Sequence, residues 1–325
     1  MRAIVFEEFG GPEVLNVVDV PEPEPGPGEV TIDVAYAGVN YADIKARAQG
    51  FRVESLPFRP GLEVSGLIRA VGAGVTGFAP GQEVTAFLCG GGYAETVVAP
   101  AATVFPLCSG LSLRTGATLP SALPTAYALL HEVARLREGD TVLVQGAAGG
   151  VGTVAGQLAR MGGASAVYGV VSSLDKAEHA LKSGYDQVFT DTTFDADVRE
   201  VTGGRGVDIA LDPVGGETFR RTLAVVGRFG RLVSFGSADS GEMWRVGPAD
   251  TYPLAISVSG FCIPSMAAAD PGRLRELADR AFRTVTDGGV ELPVSAEFPL
   301  AEAADAHRLV ESRTSTGKLL LRVAE

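Results

Sequence analysis

Four glycines within seven residues, Gly146, Gly149, Gly150 and Gly152, form the stretch best suited to chemistry by backbone alone. They follow Thr141–Gln145, whose Val142-Leu143-Val144 run reads as a strand buried on both faces. They precede a helical pattern with Val154, Ala155, Leu158 and Ala159 at three- and four-residue spacing. In a strand–glycine turn–helix unit, small residues let the backbone approach a pyrophosphate, and the free N–H groups of the helix start favour its negative charge. The G-x-G-x-x-G frame is imperfect, with Ala147 at its first position and Gly149 and Gly152 at the others. The same stretch also reads as a tight turn with no ligand, so the downstream context decides. Gly149, Gly150, Val151 and Gly152 are the candidate pyrophosphate-binding residues.

The second candidate cluster follows the next strand, predicted over Ala166–Val171. NAD binders usually place an acid there to hold the ribose 2′-OH. Here the strand runs into Ser172 and Ser173, with no acid before Asp175, and Lys176 follows. Small hydroxyl donors beside a cation suit a 2′-phosphate, which favours NADPH. Neither the cysteines (Cys89, Cys108, Cys262) nor the histidines (His131, His179, His307) have metal-ligand spacing. Three scattered cysteines suit reduced thiols in a cytoplasmic protein. Each histidine reads as a surface or half-buried side chain.

Two types of region must position these residues. Residues 1–100 carry short strand patterns at Arg2–Phe6, Val30–Ala37, Val64–Gly72, Glu83–Phe87 and Tyr93–Val98, mostly separated by Gly or Pro, the mark of a barrel or sandwich. A helix is predicted over Leu119–Leu136. Strand and helix then alternate: Thr141–Gln145, Ala166–Val171, Gln187–Thr190, Val207–Asp212 and Gly230–Gly236 as strands, with helices over Lys176–Ser183, Asp195–Val201 and Glu217–Val225. That rhythm predicts a parallel sheet with right-handed crossovers. Further on, Asp270-Pro271 starts a helix with an apolar stripe from Leu274 to Val285, stopped by Gly288-Gly289. A helix over Ala301–Glu311 and a strand over Lys318–Val323 close the chain. The predicted fold is α/β: a β-rich domain of residues 1–120 and 261–325, with a doubly wound parallel-sheet domain of residues 121–260 inserted.

The 325 residues, 46% of them apolar, suffice for two cores, and the formal charge of −12 argues against a broad face for nucleic acid or an anionic membrane. The N-terminus lacks the apolar core of a signal peptide, and no apolar run is long enough to span a bilayer.

The chain resembles the zinc-free quinone oxidoreductase branch, which includes ζ-crystallin, of the medium-chain dehydrogenase/reductase superfamily. The likeness runs through Gly10-Gly11-Pro12-Glu13-Val14-Leu15, Ala37-Gly38-Val39-Asn40-Tyr41-Ala42-Asp43, Pro60-Gly61-Leu62-Glu63-Val64-Ser65-Gly66 and Val71-Gly72. It continues through Gly146–Gly152, Val233-Ser234-Phe235-Gly236 and the tail Glu311–Leu321. It implies a GroES-like catalytic domain with an inserted Rossmann-type domain. Where zinc-dependent relatives carry a Cys and a His as ligands, this chain has Asn40 and Leu62. The resemblance therefore implies hydride transfer without a metal, from NADPH to a quinone or other conjugated carbonyl in a cleft between the domains.

It also implies site residues. Asn40, Tyr41 and Thr125 neighbour the nicotinamide and the acceptor. Asn40 or Thr125 would hydrogen-bond the carboxamide or the acceptor oxygen, and Tyr41 would stack on a flat substrate or donate a proton. Phe235, Gly236 and Ala238 lie along the nicotinamide half, Asp191 stands where relatives often have a Tyr beside the adenine, and Phe261, Arg313 and Lys318 complete the cofactor set. A carboxylate at position 191 is unfavourable near a phosphate. Phe51, Phe87 and Tyr127, with Phe261, are candidate pocket walls. The alternating Thr251–Ile263 segment is the expected edge strand of a homodimer. Two other readings share the scaffold: an enoyl-thioester or biosynthetic enone reductase, and a non-enzymatic NADPH-binding, crystallin-like or RNA-binding protein.

Overall fold

The computed structural model describes residues 1–239 and 245–324. The chain divides into two compact units, one of residues 1–124, 264–287 and 292–325, the other of residues 125–263 and 288–291.

The first unit is β-rich. Its seven-stranded sheet is centred on Glu29–Val39, an eleven-residue strand that pairs antiparallel with Glu63–Val71, Lys318–Arg322 and Thr96–Pro100. Glu83–Phe87 and Val104–Pro106 extend the sheet on one side, and Val294–Pro299 lies parallel to Lys318–Arg322 on the other. Arg2–Val5 and Asn16–Asp19 form a separate two-stranded sheet. The inward positions, among them Val30, Ile32, Val64, Ile68, Val84, Leu319 and Leu321, make one apolar core.

The second unit is a six-stranded, all-parallel sheet. Numbered within the unit, Thr141–Gln145, Ala166–Val171, Gln187–Thr190, Val207–Asp212, Val226–Ser234 and Ser257–Gly260 lie in the order 3-2-1-4-5-6. That order reverses between the first and fourth strands, and ligands of such sheets bind outside the C-terminal strand ends at the reversal.

Several expectations shift. The Tyr93–Val98 strand lies instead over Thr96–Pro100, and the Gly230–Gly236 strand over Val226–Ser234. Alternation over Thr251–Ile263 yields only the four-residue strand Ser257–Gly260. Pro253 sits in a 3-10 turn and Ala255 adopts φ +54°, so an extended ladder cannot start before them. The predicted 119–136 helix is α-helical over Leu119–Tyr127 and continues as a π-helix over Ala128–Val133. His307 is not at the surface but fully buried. No helix among the described residues is long and apolar enough to cross a membrane.

Candidate functional site

In the second unit, the strand Thr141–Gln145 ends at Gly146, whose φ of +67° turns the chain towards the helix Gly150–Met161. A Cβ on Gly152 would lie 2.3 Å from the Gly146 carbonyl oxygen and 2.7 Å from the Ala147 Cα, so only glycine lets the helix sit this close to the turn. Gly149 is the N-cap and supplies no side-chain acceptor. The N–H groups of Gly150, Val151 and Gly152 therefore begin the helix without intrahelical partners. This is the cradle an anionic pyrophosphate requires, so these residues fit such a group. Tyr185 braces it from beneath, donating from its hydroxyl to the Gly152 carbonyl at 2.6 Å.

The other candidates of this unit sit at the same end of the sheet. Ser172 and Ser173 follow the second strand, Asp191 the third, Phe235, Gly236 and Ala238 the fifth, and Phe261 the sixth. Ser173 accepts from the Asp175 N–H at 3.3 Å and donates to the Asp175 carboxylate at 3.0 Å, capping the short turn that carries Lys176. The loops after the fourth and fifth strands are stitched together: Phe235 N–H donates to the Asp212 carbonyl, and Ala238 N–H to the Pro213 carbonyl at 3.0 Å. A Cβ on Gly236 would lie 2.6 Å from that Pro213 oxygen. Thr125 is buried, and the Tyr127 ring lies 4.5 Å from the His131 ring.

Sequence reasoning missed two residues here. Arg221 donates to the Asp191 carbonyl at 2.6 Å, to the Thr192 carbonyl at 2.9 Å and to the Asp195 carboxylate at 2.5 Å. It thus holds the Asp191 main chain while ion-paired with Asp195, with the Asp191 charge in weaker electrostatic reach. Asp212, fully buried, accepts from the Val214 and Gly215 N–H groups and so shapes the fourth-strand loop; burial pushes its carboxyl up to about 6.

In the first unit, Asn40 caps the helix Tyr41–Gln49. Its backbone N–H donates to Asp43 at 2.9 Å, while its side chain is used elsewhere: Nδ2 donates to Glu63 at 2.9 Å and Oδ1 accepts from Lys318 at 2.8 Å. Lys318 is buried and ion-paired with the wholly buried Glu63, and its third donor goes to the Val39 carbonyl at 3.2 Å. All three of its hydrogens are thus spent inside the unit. Gly38 makes room for this pair, since a Cβ there would lie 2.4 Å from a Glu63 oxygen.

Asp43 lies behind Asn40. It accepts from the Gly61 N–H at 3.0 Å and from the Tyr93 hydroxyl at 3.3 Å, and that hydroxyl also meets His307 Nε2 at 3.3 Å. Burial drives the Asp43 carboxyl up to about 7 against the pull of its N–H donors. Neither Glu63 nor Asp43 was singled out from sequence: apart from the local Asn40 N–H, the groups that surround these two carboxyls lie 18 or more residues away in the chain.

Tyr41 is 44% exposed and Phe51 39% exposed, with the Lys45 ammonium 5.4 Å from the Phe51 ring centroid. Phe51, Leu62, Ala42, Asp43 and Cys89 line a cavity of about 20 Å³, room for one water. Phe87 belongs to the core, 1% exposed. Arg313 is exposed in a left-handed turn (φ +57°).

No group of three His, Cys, Asp or Glu side chains suited to a metal occurs among the described residues. The carboxylate beside Asn40 is already neutralised by an ammonium that would repel a divalent cation, so this donor set does not fit a zinc ion.

A GroES-like β unit with a Rossmann-type parallel sheet defines the chain as a medium-chain dehydrogenase/reductase. The family model "Alcohol dehydrogenase GroES-like domain" matches residues 26–109, and "Zinc-binding dehydrogenase" matches residues 183–321. The quinone oxidoreductase of Rattus norvegicus is 33% identical over 99% of this chain and 97% of its own. The Escherichia coli quinone oxidoreductase solved with NADPH is 30% identical, covering 99% of this chain and 100% of its own, with a TM-score of 0.91. A mycobacterial protein solved with NADPH is 33% identical with a TM-score of 0.93, covering 99% of this chain and 100% of its own. The chain belongs to the quinone oxidoreductase branch of this superfamily and is an oxidoreductase of that type.

Proposed function

We propose that the protein is an NADPH-dependent reductase of quinones and related conjugated carbonyl compounds, acting without a metal ion. The observation that carries the NADPH preference is the end of the second strand, where Ser172 and Ser173 replace the usual ribose-binding acid and Lys176 follows on the next turn. When bound, the reduced nicotinamide supplies a hydride. The protein's residues bind, orient and dehydrate. The N–H groups of Gly150, Val151 and Gly152 hold the pyrophosphate. Lys176 and the serines take the 2′-phosphate, and Arg221 anchors the Asp191 main chain. Phe235, Gly236 and Ala238 flank the nicotinamide, Phe261 and Arg313 complete the cofactor's surroundings, and Asn40, Tyr41 and Thr125 attend the acceptor. Tyr127 and Phe51 are wall residues. The edge strand Ser257–Gly260 is the proposed seam of a homodimer, and the cytoplasm the proposed compartment.

The test follows absorbance at 340 nm with 1,4-benzoquinone, 9,10-phenanthrenequinone and a crotonyl thioester, using NADPH and NADH in parallel. Quinone-dependent oxidation favouring NADPH is expected. Lys176→Ala removes a charge-assisted contact of about 1.5–3 kcal/mol, so KM for NADPH should rise roughly ten- to hundredfold while KM for NADH stays near its natural value. Equal use of both cofactors overturns the role of Lys176. Turnover of the thioester alone moves the protein to the enoyl reductases, and tight NADPH binding with no acceptor moves it out of the enzymes.

A further inference from the structure

We propose that Lys318 and Glu63 are positioning residues that lock the Asn40 amide in one of its two flips, leaving its second Nδ2–H as the group offered to the acceptor oxygen; this rests on the function proposed above. Resemblance alone assigns Lys318 to the cofactor. The structure gives its ammonium other work.

An asparagine at a helix N-cap ordinarily spends its side-chain oxygen on the N–H groups of the first turn. Here the Asn40 side chain makes no such bond: the Asp43 N–H donates to the Asn40 backbone carbonyl at 3.0 Å, and the Asp43 carboxylate in turn accepts the Asn40 backbone N–H. The Asn40 amide is thereby released, and the buried ion pair seizes it from two sides. Lys318 has only hydrogens to give, so the atom facing it must be Oδ1. Glu63 can only accept, so the atom facing it must be Nδ2. The reversed flip would set N–H against ammonium and C=O against carboxylate, two repulsive contacts away from water.

The other Glu63 oxygen accepts the Ser121 N–H at 2.9 Å, in the first turn of the helix Leu119–Tyr127, so the carboxylate itself is anchored. With Oδ1 polarised by a cation and one Nδ2–H given to Glu63, the remaining Nδ2–H has only a 3.5 Å contact with the Gly38 carbonyl. A donor of this kind suits the oxygen of a conjugated carbonyl, where negative charge develops as hydride arrives.

The experiment compares Asn40→Ala, Asn40→Asp, the charge-neutral double variant Lys318→Met/Glu63→Gln, and the triple variant that adds Asn40→Ala. NADPH Kd is read by fluorescence, and kcat with 1,4-benzoquinone by absorbance. We expect kcat to fall at least tenfold in Asn40→Ala and in the double variant, with NADPH Kd within twofold throughout, and no further loss in the triple variant. A tenfold rise in Kd on changing the pair would place Lys318 on the cofactor and overturn the proposal, as would losses that multiply. Asn40→Asp keeps an acceptor for Lys318 but has no N–H, so full activity in that variant overturns the donor role even if the double variant does not fold. Should the natural protein oxidise no NADPH, the proposed function fails while the lock stays measurable. The Asn40 side-chain NH₂ protons, followed by NMR, should exchange at least tenfold faster in the double variant, and equal rates overturn the lock.

Discussion

Replacing His307 with Gln should make the first unit less sensitive to acid. His307 is 0% exposed, and burial, reinforced by the nearby Arg47 guanidinium, lowers its imidazole from the ordinary 6.5 to about 3. The folded state thus holds it neutral while the unfolded chain protonates it below 6.5. Its contribution is fully present above that value and is lost as pH falls towards about 3. At about 1.4 kcal/mol per pH unit, roughly 2 kcal/mol disappears between pH 6.5 and 5. Asp43, raised to about 7, and Asp212, raised to about 6, act in the opposite sense. Their contributions are present in acid and lost as pH rises through those values. The wild-type profile therefore mixes opposing terms, and the difference between wild type and His307→Gln isolates the histidine. Glutamine can still meet the Tyr93 hydroxyl, so the variant should cost only about 1 kcal/mol at pH 8. By pH 5 it should be more stable than wild type by about 1 kcal/mol. Hydrogen exchange at the Ile32 and Ile68 amides, corrected for intrinsic rates, reads the stability of this core directly. A wild-type-minus-variant difference that does not change between pH 8 and pH 5 would refute the argument.

Two further outcomes follow from the geometry. Gly152→Ala drives a Cβ to 2.3 Å from a backbone oxygen, so the turn must shift; we expect a loss of about 2 kcal/mol in thermal unfolding and at least tenfold weaker NADPH binding by fluorescence titration. Asp270→Ala removes the cap that accepts the Arg273 N–H at 2.9 Å at the start of Pro271–Thr286 and should cost about 1 kcal/mol, lowering Tm with kcat unchanged.

What could be read from sequence was what is local. The glycine turn, the serines and Lys176 each follow a strand within a few residues, so spacing alone put them at one end of a sheet. The Asp270-Pro271 helix start was equally legible, because a cap and its N–H target lie three residues apart. The charge network of the first unit was not. Glu63 and Lys318 are 255 positions apart, and Tyr93 and His307 214, so no window of sequence contains both partners. Without its partner, a lysine in a family tail reads as a cofactor ligand and a single histidine as a surface or half-buried residue. The same distance that hid these contacts gives them their effect. Sheet pairing of Lys318–Arg322 with Glu29–Val39 brings a cation from the far end of the chain to the amide of Asn40. Any change that slips this pairing by one residue would send the Lys318 side chain to the opposite face of the sheet. The register of the last strand therefore helps decide which way the Asn40 amide points.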